Sequence, residues 1–456
     1  MVDAAALVSS LRKTFDGGRT RPLSFRLGQL AALQRMIEER EGEILEALRV
    51  DVGKPRMEAY VAELGFVLGE IAMVKKKLPA WTRPERVATP ASTQPARAEI
   101  HKDPLGVVLL IGPWNYPFQL VVAPLIGAIA AGNCAVVKPS EMTPNVSALL
   151  ARLLPQYLDP DVVKVVEGGV AETTALLEQR FDHIFYTGNG TVGRVVMGAA
   201  AKHLTPVTLE LGGKSPCIVD KEADLDVGVR RIVWGKYFNA GQTCIAPDYV
   251  LAHASIHDKL LDRLRETIRE FYGDDPQRSP DYARIVNARH HQRLSRLLGE
   301  GEAVTEIKAV EAERYLSPVV LRDVPETAKV MHEEIFGPIL PVLKVHDMDE
   351  AISFVNRRDK PLALYVFSEN EGVQREVIDR TTSGGATVNH TGMHFGVPNL
   401  PFGGVGESGM GAYHGKLTFD TFTHRRAVLI KPTFLDASVI YPPYTSLKEK
   451  IIRMLL

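Results

Sequence analysis

The sequence predicts an α/β protein built on doubly wound parallel sheets. Short apolar runs of strand length alternate with helical stretches from residue 100 onward. The runs at 107–111, 135–137, 162–166, 183–186 and 207–211 lack the strict alternation of a half-solvated strand. That texture is expected where a parallel sheet is covered on both faces. A Gly-x-Gly-x-x-Gly turn, Gly188-Asn189-Gly190-Thr191-Val192-Gly193, follows one such run and opens a helical stretch. This is the context of a nucleotide-binding unit.

Composition bounds the function. The 456 residues are enough for two or three domains with sizeable cores. At 45% hydrophobic and 24% charged the chain reads as an ordinary globular protein. A net charge of -1 without a long basic run argues against a dedicated nucleic-acid binder. Cys134, Cys217 and Cys244 are the three cysteines, with no Cys-x-x-Cys. They argue against a disulfide scaffold and against a zinc site, so no metal is expected, and they favour a reducing, cytoplasmic setting. Residues 1–15 lack the pattern of a secretory signal. The longest apolar stretch, 120–137, is broken by Pro124, Gly127, Gly132 and Asn133, and reads as a buried helix followed by a strand. The apolar C-terminus (Ile451, Ile452, Met454, Leu455, Leu456) is too short to span a membrane.

In chain order, Leu30, Leu33, Ile37, Ile44 and Leu48 recur at helical spacing across 23–50, with one polar turn at Glu41. A second helix is predicted over 57–78. At 81–94 the texture changes to Pro, Thr, Ser and Arg, which reads as an extended arm. Between the strand runs, helices are predicted to start near Gln119, Pro144, Ala171 and Gly193. A second α/β region begins at about Lys214, with runs at 216–219, 339–345, 364–367 and 386–389. The charge-dense stretches 261–271 and 288–298 read as solvated helix faces. Near the end, 421–430 is rich in β-branched and aromatic residues and is predicted to be a strand.

Four places could carry chemistry. A helix predicted from about Leu225 runs up to Phe238-Asn239-Ala240-Gly241-Gln242-Thr243-Cys244, with Asn239 and Gly241 as stop signals. Cys244 then sits in a small-residue loop just past a helix end, as a thiolate nucleophile or, equally, as a small buried hydrophobe. Glu210 lies 22 positions after Gly188, where a ribose-binding acid is expected in a dinucleotide unit. Lys138 and Glu141 end a strand run, where they could hydrogen-bond ribose hydroxyls or form a plain surface ion pair. Asn115 follows another run, as a donor to a developing oxyanion or as part of a turn with aromatic packing.

With these pieces in this order, the chain resembles the aldehyde dehydrogenase superfamily from about Leu23 to Leu456. The motifs are Pro113-Trp114-Asn115-Tyr116-Pro117, Lys138-Pro139-Ser140-Glu141, Leu209-Glu210-Leu211-Gly212-Gly213-Lys214, Gly241-Gln242-Thr243-Cys244, Glu334-Ile335-Phe336-Gly337-Pro338 and Pro401-Phe402-Gly403-Gly404. Within it, Cys244-Ile245-Ala246-Pro247-Asp248-Tyr249 and Met410-Gly411-Ala412-Tyr413-His414-Gly415-Lys416 resemble the class 3 group, whose members act on aromatic and medium- to long-chain aldehydes.

The resemblance implies a Rossmann-type dinucleotide-binding domain over 1–81 and 102–213, and a catalytic domain over 214–407 carrying Cys244. It also implies a small β oligomerisation arm at 82–101 and 421–432, and a homodimer. It moves Glu210 from cofactor binding to the role of general base. Cys244 becomes the nucleophile and Asn115 an oxyanion donor. Lys138, Glu141, Glu334 and Phe336 become cofactor contacts, with Gly188 and Gly193 as cofactor neighbours. Where the family usually reads Gly-Ser-Thr or Gly-Asn-Thr, this chain has Gly188-Asn189-Gly190-Thr191, which leaves Gly188 and Gly193 in place but removes a side chain at Gly190. Tyr116, Thr243 and Ile245 would line an aldehyde tunnel, or simply pack. His390 and His394 are expected in structural or substrate-loop roles, and His414 in none. Cys134 and Cys217 are expected in the core.

The expected reaction is oxidation of an aldehyde to the acid with NAD or NADP through a thioester on Cys244. Two alternatives share the nucleophile, base and oxyanion donor: a cofactor-independent cysteine esterase, and a dehydrogenase passing its acyl group to coenzyme A. Lys138, Glu141, Glu334 and the glycine turn have no use in the first, and Glu210 favours water over coenzyme A. A binding protein that kept only the fold would not need Cys244, Glu210 and Asn115 together. Glu141 near a ribose disfavours a 2′-phosphate, while Lys138 beside it compensates.

Overall fold

A computed structural model describes residues 3–455. Its first sheet has six strands in the order Gly409–Met410, Val207–Glu210, His183–Thr187, Val107–Ile111, Cys134–Lys138, Val163–Val165. The last five are parallel, and Gly409–Met410 pairs antiparallel with Val207–Glu210. The chain builds outward from Val107–Ile111 to Val163–Val165, then returns to the other side with His183–Thr187. The carboxyl ends of Val107–Ile111 and His183–Thr187 therefore form a switch point, where open α/β sheets bind ligands.

Burial explains the texture of the sequence. Every residue of Val107–Ile111, Cys134–Lys138 and the helix Gln119–Ala131 is buried, so these segments are apolar all round except at Gln119 and Lys138, which line the cavity described below. Gly127 lets that helix pack closely, since a Cβ there would lie 2.2 Å from Thr418 Cγ2.

The second sheet has seven strands: Glu302–Ala303, Val319–Arg322, Ile339–Val345, Tyr249–His253, Pro216–Val219, Ala363–Phe367 and Gly385–Val388. All are parallel except the first. A third, antiparallel sheet joins Glu85–Val87, Arg97–Pro104 and Thr423–Ile430. The arm and the late strand of the sequence thus meet in one sheet, with Thr423–Ile430 at its edge.

Some expectations are corrected. The helix expected over 23–50 is two, Leu23–Glu39 and Glu41–Val52, because Arg40 leaves helical geometry at φ -113°, ψ 16°. The second helix contains a π-helical stretch, Tyr60–Gly65, between Arg56–Ala59 and Phe66–Trp81. The helix after the glycine turn starts at Gly190 rather than Gly193, because the Asn189 side chain accepts from the Val192 amide and caps it. The helix Ala4–Asp16, capped by Asp3 and burying Ala4, Val8 and Leu11, was not expected. Among the described residues no helix is long and apolar enough to cross a membrane. The apolar C-terminus forms a helix, Ser446–Leu455; Met1, Val2 and Leu456 lie outside the described residues.

Candidate active site

One cavity of about 1400 Å³ runs along the carboxyl ends of the first sheet and against the loops of the second. It takes in Lys138, Thr187, Gly188 and Glu210 from strand ends, and Asn115 from the loop after Val107–Ile111. From the second region come Cys244, Glu334 and Phe336.

The helix Leu225–Tyr237, capped by the Asp224 side chain, ends at Phe238. Three left-handed residues follow, Asn239 (φ 53°), Ala240 (φ 52°) and Gly241 (φ 74°), and turn the chain into the cavity. Glycine is required at 241, because a Cβ would lie 2.3 Å from the Gly337 carbonyl oxygen. Cys244 is half-buried at the end of this turn. Burial pushes its thiol up, as do the Glu334 and Glu210 carboxylates, while the amides of Cys244 and Ile245 favour the thiolate. Cys134 and Cys217 are buried in strands.

Glu210 ends its strand with both carboxylate oxygens buried and without hydrogen-bond partners. Burial drives its carboxyl well above the ordinary range. Asn115 Nδ2 donates to the Gln242 carbonyl at 3.1 Å, which ties it to the Cys244 loop. Gln242 braces that loop in turn: its Nε2 donates to the Asn239 and Arg284 carbonyls, and its Oε1 accepts from the Val286 amide.

Lys138 Nζ lies 3.6 Å from Glu141 Oε2, with the lysine buried and the glutamate exposed. Both line the cavity, so the pair is more than a surface contact. Gly188 lines it too, whereas Gly193 does not. Gly193 is a packing position: a Cβ there would lie 2.9 Å from Leu211 Cδ2. The buried Thr187 hydroxyl and Glu334 Oε1 have no partner. Glu334 is pushed up to about 8, first by burial and then by Asp248. Orphaned acceptors and a lysine–glutamate pair in one cavity with a glycine turn fit the hydroxyl-rich ribose and phosphate groups of a dinucleotide.

Tyr116 Oη and Thr243 Oγ1 are 2.6 Å apart, and both residues line the cavity with Ile245. Phe66, Phe395, Phe402 and Tyr413 extend this side as an aromatic wall. His390, His394 and His414 do not line the cavity. His394 Nδ1 pairs with Thr387 Oγ1 at 2.9 Å, and burial pushes its ring down to about 4. His414 stacks on Phe402 with centroids 5.0 Å apart, and burial pushes it down to about 3. His390 sits edge-on to Trp234.

Sequence reasoning missed several lining residues. Trp114, inside a quoted motif, packs edge-on against Phe336 with centroids 5.2 Å apart. Thr187 directly precedes the glycine turn, and that adjacency was its signal. Arg289, Arg293 and Arg296, expected on a solvated face, line the cavity instead. Arg293 donates to the Glu334 and Ile335 carbonyls and so braces the Glu334 loop.

Two doubly wound sheets sharing one cavity, with a dinucleotide-compatible wall beside a loop cysteine, define the class: an NAD(P)-dependent oxidoreductase. Residues 2–428 match the aldehyde dehydrogenase family, and the chain belongs to that family. It is 55% identical over 443 residues to aldehyde dehydrogenase family 3 member A2 of Mus musculus, covering 97% of this chain and 92% of that one. It is 51% identical over 453 residues to the "aldehyde dehydrogenase, dimeric NADP-preferring" of Canis lupus familiaris, covering 97% and 98%. The substrate-bound state of Staphylococcus aureus AldH superposes with a TM-score of 0.98 at 48% identity, covering 100% of this chain and 99% of that one. The chain is an NAD(P)-dependent aldehyde dehydrogenase that oxidises aldehydes to carboxylic acids.

Proposed function

We propose that Cys244 is the nucleophile, Glu210 the general base and Asn115 an oxyanion donor for this oxidation. The observation that carries the reading is the meeting of all three in one cavity, with Glu210 buried and free of partners. Cys244 passes its thiol proton to Glu210, which releases it to solvent before the hydrolytic step, and the thiolate Sγ adds to the aldehyde carbon. The oxyanion accepts from the Asn115 side-chain amide and the Cys244 backbone amide. One such donor contributes about 3 kcal/mol to lowering the barrier. The chemistry supplied by bound NAD(P)+ is acceptance of the hydride whose loss turns the thiohemiacetal into a thioester. Glu210 then takes a proton from the water that attacks the thioester. A carboxylate raised by burial is a stronger base than one in water.

Lys138 and Glu141 hold one ribose and Glu334 the other, with Phe336 beside the ring and Gly188 allowing close approach. Gly193 serves the cofactor indirectly, by seating its helix on Leu211. Tyr116, Thr243 and Ile245 line the path of an aromatic or medium- to long-chain aliphatic aldehyde, a reading favoured by the aromatic wall. The domains divide as 1–81 with 102–213 for the dinucleotide, 214–407 for catalysis, and 82–101 with 421–432 for assembly.

The assembly is a homodimer. Its support is the edge strand Thr423–Ile430, with Leu429 and Ile430 exposed, and the word "dimeric" in the name of the dog relative. Light scattering that gives a monomer mass at micromolar concentration contradicts it. A cytoplasmic location is supported by three free cysteines, and recovery in a membrane or secreted fraction contradicts it.

The test of the nucleophile is Cys244→Ala. It should abolish NAD(P)H formation at 340 nm while cofactor binding, read by fluorescence quenching, persists. Full turnover by the variant overturns the assignment.

A further inference from the structure

Three charged residues from one short stretch, Lys54, Glu58 and Glu63, bond the main chain of cavity-lining segments from outside every motif quoted above. Lys54 follows Gly53, whose left-handed φ of 61° ends a helix and turns the chain inward. The side chains of Lys54 and Glu63 have no exposed surface, and they form an ion pair with each other. Glu63 comes from the π-helical stretch Tyr60–Gly65, a geometry concentrated at functional sites. That turn presents Val61 and Ala62 to the cavity and Glu63 to the interior.

The pair grips both ends of the segment that carries Asn115. Lys54 Nζ donates to the Asn115 carbonyl at 2.9 Å and sits 4.0 Å from the centre of the Tyr116 ring. Glu63 Oε2 accepts from the Phe118 and Gln119 amides at 3.1 and 2.8 Å, at the start of the helix Gln119–Ala131. The Asn115 carbonyl takes a second donor, Asn239 Nδ2, at 3.1 Å. Glu58 Oε2 in turn accepts from the Asn239 amide at 2.9 Å, at the root of the Cys244 loop.

A buried ion pair is a poor source of stability, because desolvation offsets its attraction. A hydrophobic pair could fill the same space. What the charges supply is direction: Lys54 bonds the carbonyl of the oxyanion donor itself, and Glu63 bonds the amides three and four residues further on.

We propose that Lys54 and Glu63 are positioning residues, which hold the Asn115 main chain so that its side-chain amide faces the oxyanion. The proposal rests on the reading of Asn115 as that donor. Burial lowers the Lys54 ammonium from its ordinary value while Glu63 favours the charged form, in keeping with a pair that exists only as a unit.

The experiment is a double-mutant cycle. Lys54→Met/Glu63→Leu removes both charges at similar volume, and Glu63→Gln removes one charge while keeping an acceptor. Asn115→Ala is made alone and in each background. The readouts are kcat, KM, the NAD(P)+ dissociation constant and a melting curve. Removal of the pair should lower kcat roughly 10- to 100-fold and change cofactor affinity by less than about twofold. Adding Asn115→Ala to that background should then lower kcat by less than about threefold more, because the donor is already misplaced.

Additive losses, or an unchanged kcat in both backgrounds, overturn the proposal. If the double replacement does not fold, the Glu63→Gln cycle decides on the same criterion. Unfolding of both backgrounds counts against it, since the pair would then serve the fold and not Asn115. An unchanged kcat in Asn115→Ala alone overturns the oxyanion reading itself, which is a separate result.

Discussion

Glu334 lies against Gly212, so that a Cβ at position 212 would sit 2.2 Å from Glu334 Oε2. The second residue after the proposed base and the proposed ribose acceptor therefore share one space. Gly212→Ala should push the Glu334 carboxylate off its position while leaving the backbone in place. A displaced hydrogen-bond acceptor costs about 1.5 kcal/mol, so KM for NAD(P)+ should rise roughly tenfold with the melting temperature nearly unchanged. An unaltered KM would remove Glu334 from the cofactor site.

Cofactor choice should respond to Glu141. Its exposed carboxylate repels a 2′-phosphate, while Lys138 is held close to it. Glu141→Gln removes the repulsion and keeps a hydrogen-bonding group. The ratio of kcat/KM for NADP to that for NAD should rise by about fivefold to tenfold. A ratio that stays fixed or falls contradicts the placement of the adenine-side ribose.

The bond between Tyr116 Oη and Thr243 Oγ1 gives a stability test. Tyr116→Phe leaves the Thr243 hydroxyl without its partner and should cost about 1–3 kcal/mol in urea unfolding. Tyr116→Phe/Thr243→Val removes both polar groups and should cost less than the single change. A double variant less stable than the single one would show that the two hydroxyls do not act as a pair.

Stability should depend on pH through Glu334. Burial raises its carboxyl to about 8 from an ordinary 4.5. The folded protein keeps a proton that the unfolded chain releases above 4.5, so this contribution is present below that value and is lost as pH rises toward 8. The melting temperature of the cofactor-free protein should therefore fall across this window. Glu334→Gln should make the fall shallower, and Glu58, raised to about 8 by burial, should keep it from vanishing. An unchanged slope in Glu334→Gln contradicts the burial of a protonated Glu334.

What the sequence made legible followed from burial on two faces. Strands such as Val107–Ile111 and Cys134–Lys138 read as continuous apolar runs because helices cover both sides. The strands Tyr249–His253 and Val319–Arg322 escaped notice because three or four apolar residues directly after a Pro-containing loop look like loop ends. The π-helical turn at Tyr60–Gly65 was invisible, since its sequence keeps helical periodicity and the partners of Glu63 lie 55 and 56 positions away.

Charged residues misled in one consistent way. Lys54, Glu63 and Arg293 look solvated in one dimension, and their burial or bracing role comes from partners 9, 55 and 41 positions distant. The residues proposed for catalysis stood out in the sequence for a different reason. Cys244 follows the stop signals Asn239 and Gly241, Glu210 ends a strand just before Gly212-Gly213, and Asn115 lies between Pro113 and Pro117 in a turn, so local sequence already restricts each backbone.

The central claim is that an acyl group passes through Cys244 and is released by Glu210. Its most direct test is intact-protein mass spectrometry of Glu210→Gln, quenched during turnover with hexanal and NAD(P)+. The account predicts a species heavier by one hexanoyl group, with peptide mapping placing the group on Cys244. An enzyme that stays unmodified while still forming NAD(P)H, or an acyl group on another residue, would contradict it.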